Sequence, residues 1–255
     1  MRRQSSVVLA VVSILLFAGL SASAEEPWSW PEKAQNLQVL PKDWPGARLR
    51  APMTGFTRAL GVRCSHCHVG EEGKPLSTYD FASDENPNKN RAREMLRMLG
   101  SVGDHLGKIE PSGEQRVNMW CHTCHRGRPR PMTLGEELSE IYRAEGMDAA
   151  LEHHAELKKS YYGRGAYDFA SERPFNQLGY AALEKEDTEG AIRAFTLNSE
   201  RFPDSATVWD SLAEAHMKAG EVAAAERFYK KSLEIDPTNQ NAKDVLQSIE
   251  KGERG

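Results

Sequence analysis

The chain has 255 residues, room for one ordinary domain and a smaller second one but not for several cores. With 39% hydrophobic and 27% charged residues it reads neither as a disordered chain nor as a polytopic membrane protein. A formal net charge of −4 lacks the basic excess that a nucleic-acid binder needs to neutralise phosphates, so no nucleic-acid partner is expected.

Residues 1–24 begin with Arg2 and Arg3, continue through an apolar run from Val7 to Leu20 and end on Ala22-Ser-Ala24, the small-residue pattern that signal peptidase cleaves. The run is shorter than the ~20 residues of a spanning helix. The expectation is an export signal cut after Ala24 and a mature chain at work in the periplasm, with an uncleaved anchor as the alternative.

Ala51 to Val62 follows as a predicted helix, with Pro52 suited to its first turn and Met53, Phe56 and Leu60 sharing one face. Directly after it stands Cys64-Ser-His-Cys67-His68, and later Cys121-His-Thr-Cys124-His125; these hold all four cysteines of the chain. Both are C-x-x-C-H, the pattern that fixes c-type haem. Two thiols three positions apart on a helical turn can add to the two vinyl groups on one porphyrin edge, and the next imidazole then lies beneath the iron. A four-thiolate zinc site leaves the two histidines without a role. A thioredoxin-like pair wants a β-α-β context that the flanks lack, and disulfides leave His68 and His125 unexplained. The expected cofactors are therefore two covalently attached haem c groups, on Cys64 and Cys67 and on Cys121 and Cys124, with His68 and His125 as proximal iron ligands.

The other face of each iron decides between electron transfer and chemistry on oxygen or peroxide, because a filled sixth position leaves no room for substrate. Met53, eleven residues before Cys64, is either such a ligand or a core filler. A second predicted helix, Arg91 to Leu106, carries Met95, Leu99, Val102 and Leu106 on one stripe with Met98 at its edge. Met95, Met98 and His105 are its candidates; His66 and His122, inside the motifs, read as exposed or hydrogen-bonding side chains. Arg126, Arg128 and Arg130 follow the second motif, as a solvated loop, as partners of haem propionates, or as a steering patch for an acidic redox protein.

The stretch Met53-Thr-Gly-Phe56-Thr-Arg-Ala-Leu60-Gly-Val-Arg-Cys64-Ser-His-Cys67-His68, continued by Ala92-Arg-Glu-Met95-Leu-Arg-Met98 and Cys121-His-Thr-Cys124-His125-Arg-Gly127, resembles the photosynthetic reaction-centre cytochrome c subunit family over roughly residues 36–132. In that family a helix, a turn and a C-x-x-C-H helix carry each haem, and the first helix supplies an axial methionine for most haems. The resemblance implies Met53 as distal ligand of haem 1 and Met98 as that of haem 2. The family has four haem motifs and this chain two, and the continuation Leu99-Gly-Ser-Val-Gly-Asp-His105 departs from the family's polar one, which leaves Met95 or His105 open for haem 2. Met/His ligation implies a raised potential.

Past residue 132 cysteine disappears and an internal repeat begins. Leu178, Ala191, Phe195 and Pro203 recur thirty-four residues on as Leu212, Ala225, Tyr229 and Pro237, the period of the tetratricopeptide repeat. Thr133-Leu-Gly-Glu136 reads as a capping box opening a further helix, Met147 to Tyr162 as its antiparallel mate, and Asn239 to Lys251 as a closing helix. One recurrence, Tyr79-Asp-Phe-Ala-Ser83 as Tyr167-Asp-Phe-Ala-Ser171, has no account in sequence terms.

The expected fold class is all-α: a two-haem domain over residues 25–131, a degenerate helix pair over 132–171, and tetratricopeptide repeats with a closing helix over 172–255. The expected function is one-electron transfer with no catalytic residues, toward periplasmic or membrane redox proteins, the repeats offering a surface to a peptide or helix. The alternatives are a two-haem peroxidase and a haem-based redox sensor or scaffold.

Overall fold

The computed structural model describes residues 28–109 and 118–252, so the expected export signal of residues 1–24 lies outside the described residues. The all-α expectation holds: ten α-helices and no strand among the described residues, with two isolated bridges, Lys33 to Pro45 and Val69 to Asp80. No described helix is long and apolar enough to cross a membrane.

Helix α1 (Arg50–Leu60) takes Pro52 in its first turn, where a missing N–H costs nothing, and ends on Gly61 in the left-handed region at φ 68°. Its two sides differ. Gly55 and Ala59, four apart, are buried; Met53, Phe56 and Leu60 are half-buried on the roughly opposite side. Helix α2 (Pro87–Leu106) starts four residues before the expected position, because the side chain of Asn86 accepts from the N–H of Asn88 and Pro87 fills the first turn. The first C-x-x-C-H forms a 3-10 turn, Cys64–His66, and the second a short helix α3 (Cys121–His125).

The second half is a stack of helix pairs. Helix α4 (Leu134–Glu145) opens on the expected capping box: Glu136 N–H donates to Thr133 Oγ1 at 3.2 Å and Thr133 N–H donates to the Glu136 carboxylate at 2.7 Å. Helix α5 (Met147–Tyr161) folds back on α4, which also packs on α6 (Arg173–Leu183); α6 then packs on α7 (Thr188–Arg201), α7 on α8 (Ala206–Lys218), α8 on α9 (Val222–Ile235), and α9 on α10 (Gln240–Glu250). The residues that recur at thirty-four, Leu178 with Leu212, Ala191 with Ala225 and Phe195 with Tyr229, are all buried. A polar bond recurs in the same register. Asn198 Nδ2 donates to the carbonyl of Glu172 at 2.9 Å, and Ser232 Oγ to that of Ala206 at 2.8 Å, each from the second helix of a pair to the start of the first.

The two halves differ in what they bury. A continuous apolar core runs from Leu134 through Phe175, Leu178 and Phe195 to Leu212, whereas among the described residues before 131 the only buried hydrophobic side chains are Leu49 and Ala59.

Candidate haem sites

The first C-x-x-C-H turn is held from two directions. Asn86 Nδ2 donates to the carbonyl of Ser65 at 3.2 Å and Asn88 Nδ2 to that of His66 at 3.0 Å, so the start of α2 grips the turn. On the other side Asp80 N–H donates to the carbonyl of Val69 at 2.9 Å, which brings Tyr79 to Ser83 alongside. There the ring of Phe81 meets the His68 imidazole edge to face, centroids 5.0 Å apart, with Trp28 5.5 Å from Phe81. Lys89 Nζ donates to the carbonyls of Phe81, Ala82 and Ser83, and both Lys89 and Arg93 pair with Asp84, whose carboxyl those bonds hold well below the ordinary range. Burial, with Lys89 adding to it, lowers the His68 pKa and favours the neutral imidazole that a metal requires. Its Nδ1 is buried without a hydrogen-bond partner.

The second turn is the more exposed of the two except at its histidine. Thr123 Oγ1 accepts from the N–H of Trp120 at 3.1 Å to start α3, and Arg126 at φ 50° and Gly127 at φ 82° turn the chain away from its end. His125 is buried, and its Nδ1 lies 2.9 Å from the carbonyl of Arg128. A carbonyl can only accept, so Nδ1 carries the proton and the lone pair stands on Nε2. Helix α1 packs on α3 through its small-residue side: Gly127 N–H donates to the carbonyl of Ala59 at 2.8 Å, and a Cβ on Gly55 would come within 2.9 Å of the Trp120 ring. The sequence placed α1 with the first motif alone; the structure joins it to the second as well, and Met53 lies on the side turned away from α3.

The four cysteines are unpaired, and no three or more His, Cys, Asp or Glu side chains gather as a metal-ion site among the described residues, so neither disulfides nor a shared zinc site describes them. Burial raises the thiol pKa of Cys67, helped by Cys64, and burial likewise raises that of Cys121. Met95, Met98 and His105 are exposed, as are the apolar side chains of Ile109, Met119 and Trp120. Exposed apolar side chains, in a segment whose described residues bury almost no hydrophobic side chain, fit porphyrin, a large flat apolar group that buries such surface when bound.

Arg126, Arg128 and Arg130 do not act as one group. Arg126 is exposed, Arg130 pairs with Glu140 at 2.9 Å, and Arg128 is buried, neither in a solvated loop nor in a steering patch. The unexplained recurrence also receives a physical account. Asp80 Oδ1 accepts from the N–H groups of Ala82 and Ser83, and Asp168 Oδ1 from those of Ala170 and Ser171, at 2.9 to 3.1 Å. Both are the same side-chain-capped turn. Each sets a phenylalanine edge to face against a histidine, Phe81 on His68 and Phe169 on His154.

Residues 22–160 match the photosynthetic reaction centre cytochrome C subunit family, more than half of the chain. The chain belongs to that family. The match runs past residue 131 through α4 and α5, and membership implies covalently attached haem c. Residues 206–239, α8 and α9, match the tetratricopeptide repeat, typically a protein-interaction module. Cytochrome c-554 of Chloroflexus aurantiacus is 37% identical over 71 residues, 28% of this chain and 15% of the relative's own length. Among solved structures, the first TPR of Spaghetti (RPAP3) bound to the HSP90 peptide SRMEEVD is 16% identical, with a TM-score of 0.35 over 47% of this chain and 89% of the other.

Proposed function

We propose that the chain is an exported two-haem cytochrome that carries single electrons in the periplasm, with its helical array as the surface on which a redox partner docks. What carries the reading is the contrast in burial: among the described residues of the segment that holds the C-x-x-C-H turns, only Leu49 and Ala59 are buried hydrophobic side chains, while the array behind it has a full core.

Haem c, when bound, supplies an iron that takes up and releases one electron. Cys64 and Cys67, and Cys121 and Cys124, would hold the two groups by thioethers, with His68 and His125 as proximal ligands. Met53 would be the distal ligand of haem 1 and Met98 that of haem 2. Helical geometry supports the first assignment, since the α1 side facing α3 is taken by Gly55 and Ala59. The neutral state favoured at His68 and the Nδ1–H donation of His125 keep each imidazole in a form able to ligate.

The test is a haem-to-protein ratio and an intact mass on material matured in a host that attaches haem. Two covalent haems, both irons six-coordinate and low-spin, and no peroxide turnover are expected. One haem or none overturns the two-haem reading, and a five-coordinate iron that turns over peroxide replaces electron carriage with peroxidase chemistry.

A further inference from the structure

Arg128 is withdrawn from solvent, at 6% exposure, three residues after the second motif. Its own carbonyl accepts the Nδ1–H of His125 at 2.9 Å. Its guanidinium donates to the carbonyls of His125 and Met132 and lies over the ring of Tyr167, 4.3 Å from the centroid. The Tyr167 hydroxyl donates to Glu137 of α4, and His153 Nε2 of α5 lies 3.0 Å from the same carboxylate. An unbroken line of bonds therefore runs from the buried imidazole into the helical array.

A buried guanidinium persists only where its donors and its charge are answered. Two carbonyls answer donors, and the Tyr167 ring face answers charge. Tyr167 is itself fixed by Glu137, so the place of Arg128 depends on the array. The carbonyl that receives the His125 proton belongs to the same residue as that clamped side chain, so moving one moves the other. Among the described residues no such link to the array stands behind His68, whose ring lies against Phe81.

We propose that Arg128 is a positioning residue for His125, and that Tyr167 holds it there, so that the helical array tunes the electron affinity of the second haem and not of the first. The proposal rests on the reading that His125 ligates haem iron. An acceptor on Nδ1–H makes the imidazole a stronger donor and favours the oxidised metal; loosening it favours the reduced one.

The experiment is a spectroelectrochemical titration of the full-length holoprotein, resolved into two one-electron steps, for the wild type and for Arg128→Ala, Arg128→Lys, Tyr167→Ala and Tyr167→Phe. In Tyr167→Ala one step moves to higher potential, changing the oxidised-to-reduced ratio at fixed poise by about threefold or more, and the other step stays in place; Arg128→Ala moves the same step by less, because losing a buried positive charge favours the oxidised iron. Tyr167→Phe keeps the ring face and shifts less; Arg128→Lys keeps the charge but loses the planar stack and falls between. Where Arg128→Ala fails to mature, the two Tyr167 variants decide. Two attached haems with both steps unmoved in Tyr167→Ala overturn the proposal and leave the haem reading intact. A wild type without thioether-bound haem overturns that reading and this proposal with it.

Discussion

The main-chain N–H of Gly127 donates to the carbonyl of Ala59 at 2.8 Å, tying the turn that leaves the second motif to the last turn of the helix that precedes the first. Gly61 stands beside this bond at φ 68°, and a Cβ there would overlap the Gly127 carbonyl. A side chain at Gly61 is therefore opposed both by its backbone conformation and by a neighbour that cannot move without breaking the bond. Gly61→Ala is expected to cost about 2 kcal/mol or more, and Gly127→Ala, whose Cβ meets nothing within 4 Å, about 1 kcal/mol. Denaturant unfolding followed by haem absorbance checks the order; equal costs would show that the junction bears no load.

Ligand assignment separates cleanly by substitution. Met53→Leu is expected to remove the thioether signature of one haem and Met98→Leu that of the other, each lowering the share of six-coordinate iron by about half, with Met95→Leu silent. Near-infrared ligand-field spectra of the oxidised holoproteins make the comparison. Should Met95→Leu or His105→Leu change the second haem while Met98→Leu does not, the distal assignment moves to that residue.

The array should tolerate little at Phe195, which is fully buried and lies against Gly179, where a Cβ would come within 2.5 Å of the ring. Phe195→Ala is expected to cost about 3–5 kcal/mol and to leave the haem spectra unchanged, since the helix that α3 packs on is α1 and not α7. A circular-dichroism melt beside a haem-band melt tests both halves of that statement.

His154 gives the array a pH dependence of defined sign. Burial among Phe169 and Phe175, with Arg201 and Lys158 facing it, pushes its pKa down to about 4. Between the ordinary histidine value and 4 the unfolded chain holds a proton that the folded chain refuses, so stability falls as pH drops through that window and falls no further below it. The wild type is expected to melt lower at pH 5 than at pH 7 from this cause, and His154→Phe to lose that part of the difference. Parallel shifts in both proteins would assign the dependence to other groups.

Local chemistry was legible from the residues and distant contacts were not. The capping box at Thr133 and the thirty-four-residue recurrence follow from side-chain type and helical period, and each appears where expected. The clamp on Arg128 needs Tyr167, thirty-nine positions away, and Glu137 between them; no periodicity encodes it. Arg126, Arg128 and Arg130 looked alike because sequence reports charge and not depth. One signal did exist: the repeated Tyr-Asp-Phe-Ala-Ser marked both the aromatic bed of His68 and the residue that stacks on Arg128.

The scarcity of buried apolar side chains before residue 131 bears on how the molecule is made. The array can fold on its own, since Leu138, Leu178, Phe195 and Leu212 need only one another, whereas the described residues ahead of it bury too few apolar side chains to drive collapse before haem is attached. Withholding haem is then expected to leave a folded array behind a weakened front segment, which limited proteolysis of the apoprotein would cut first.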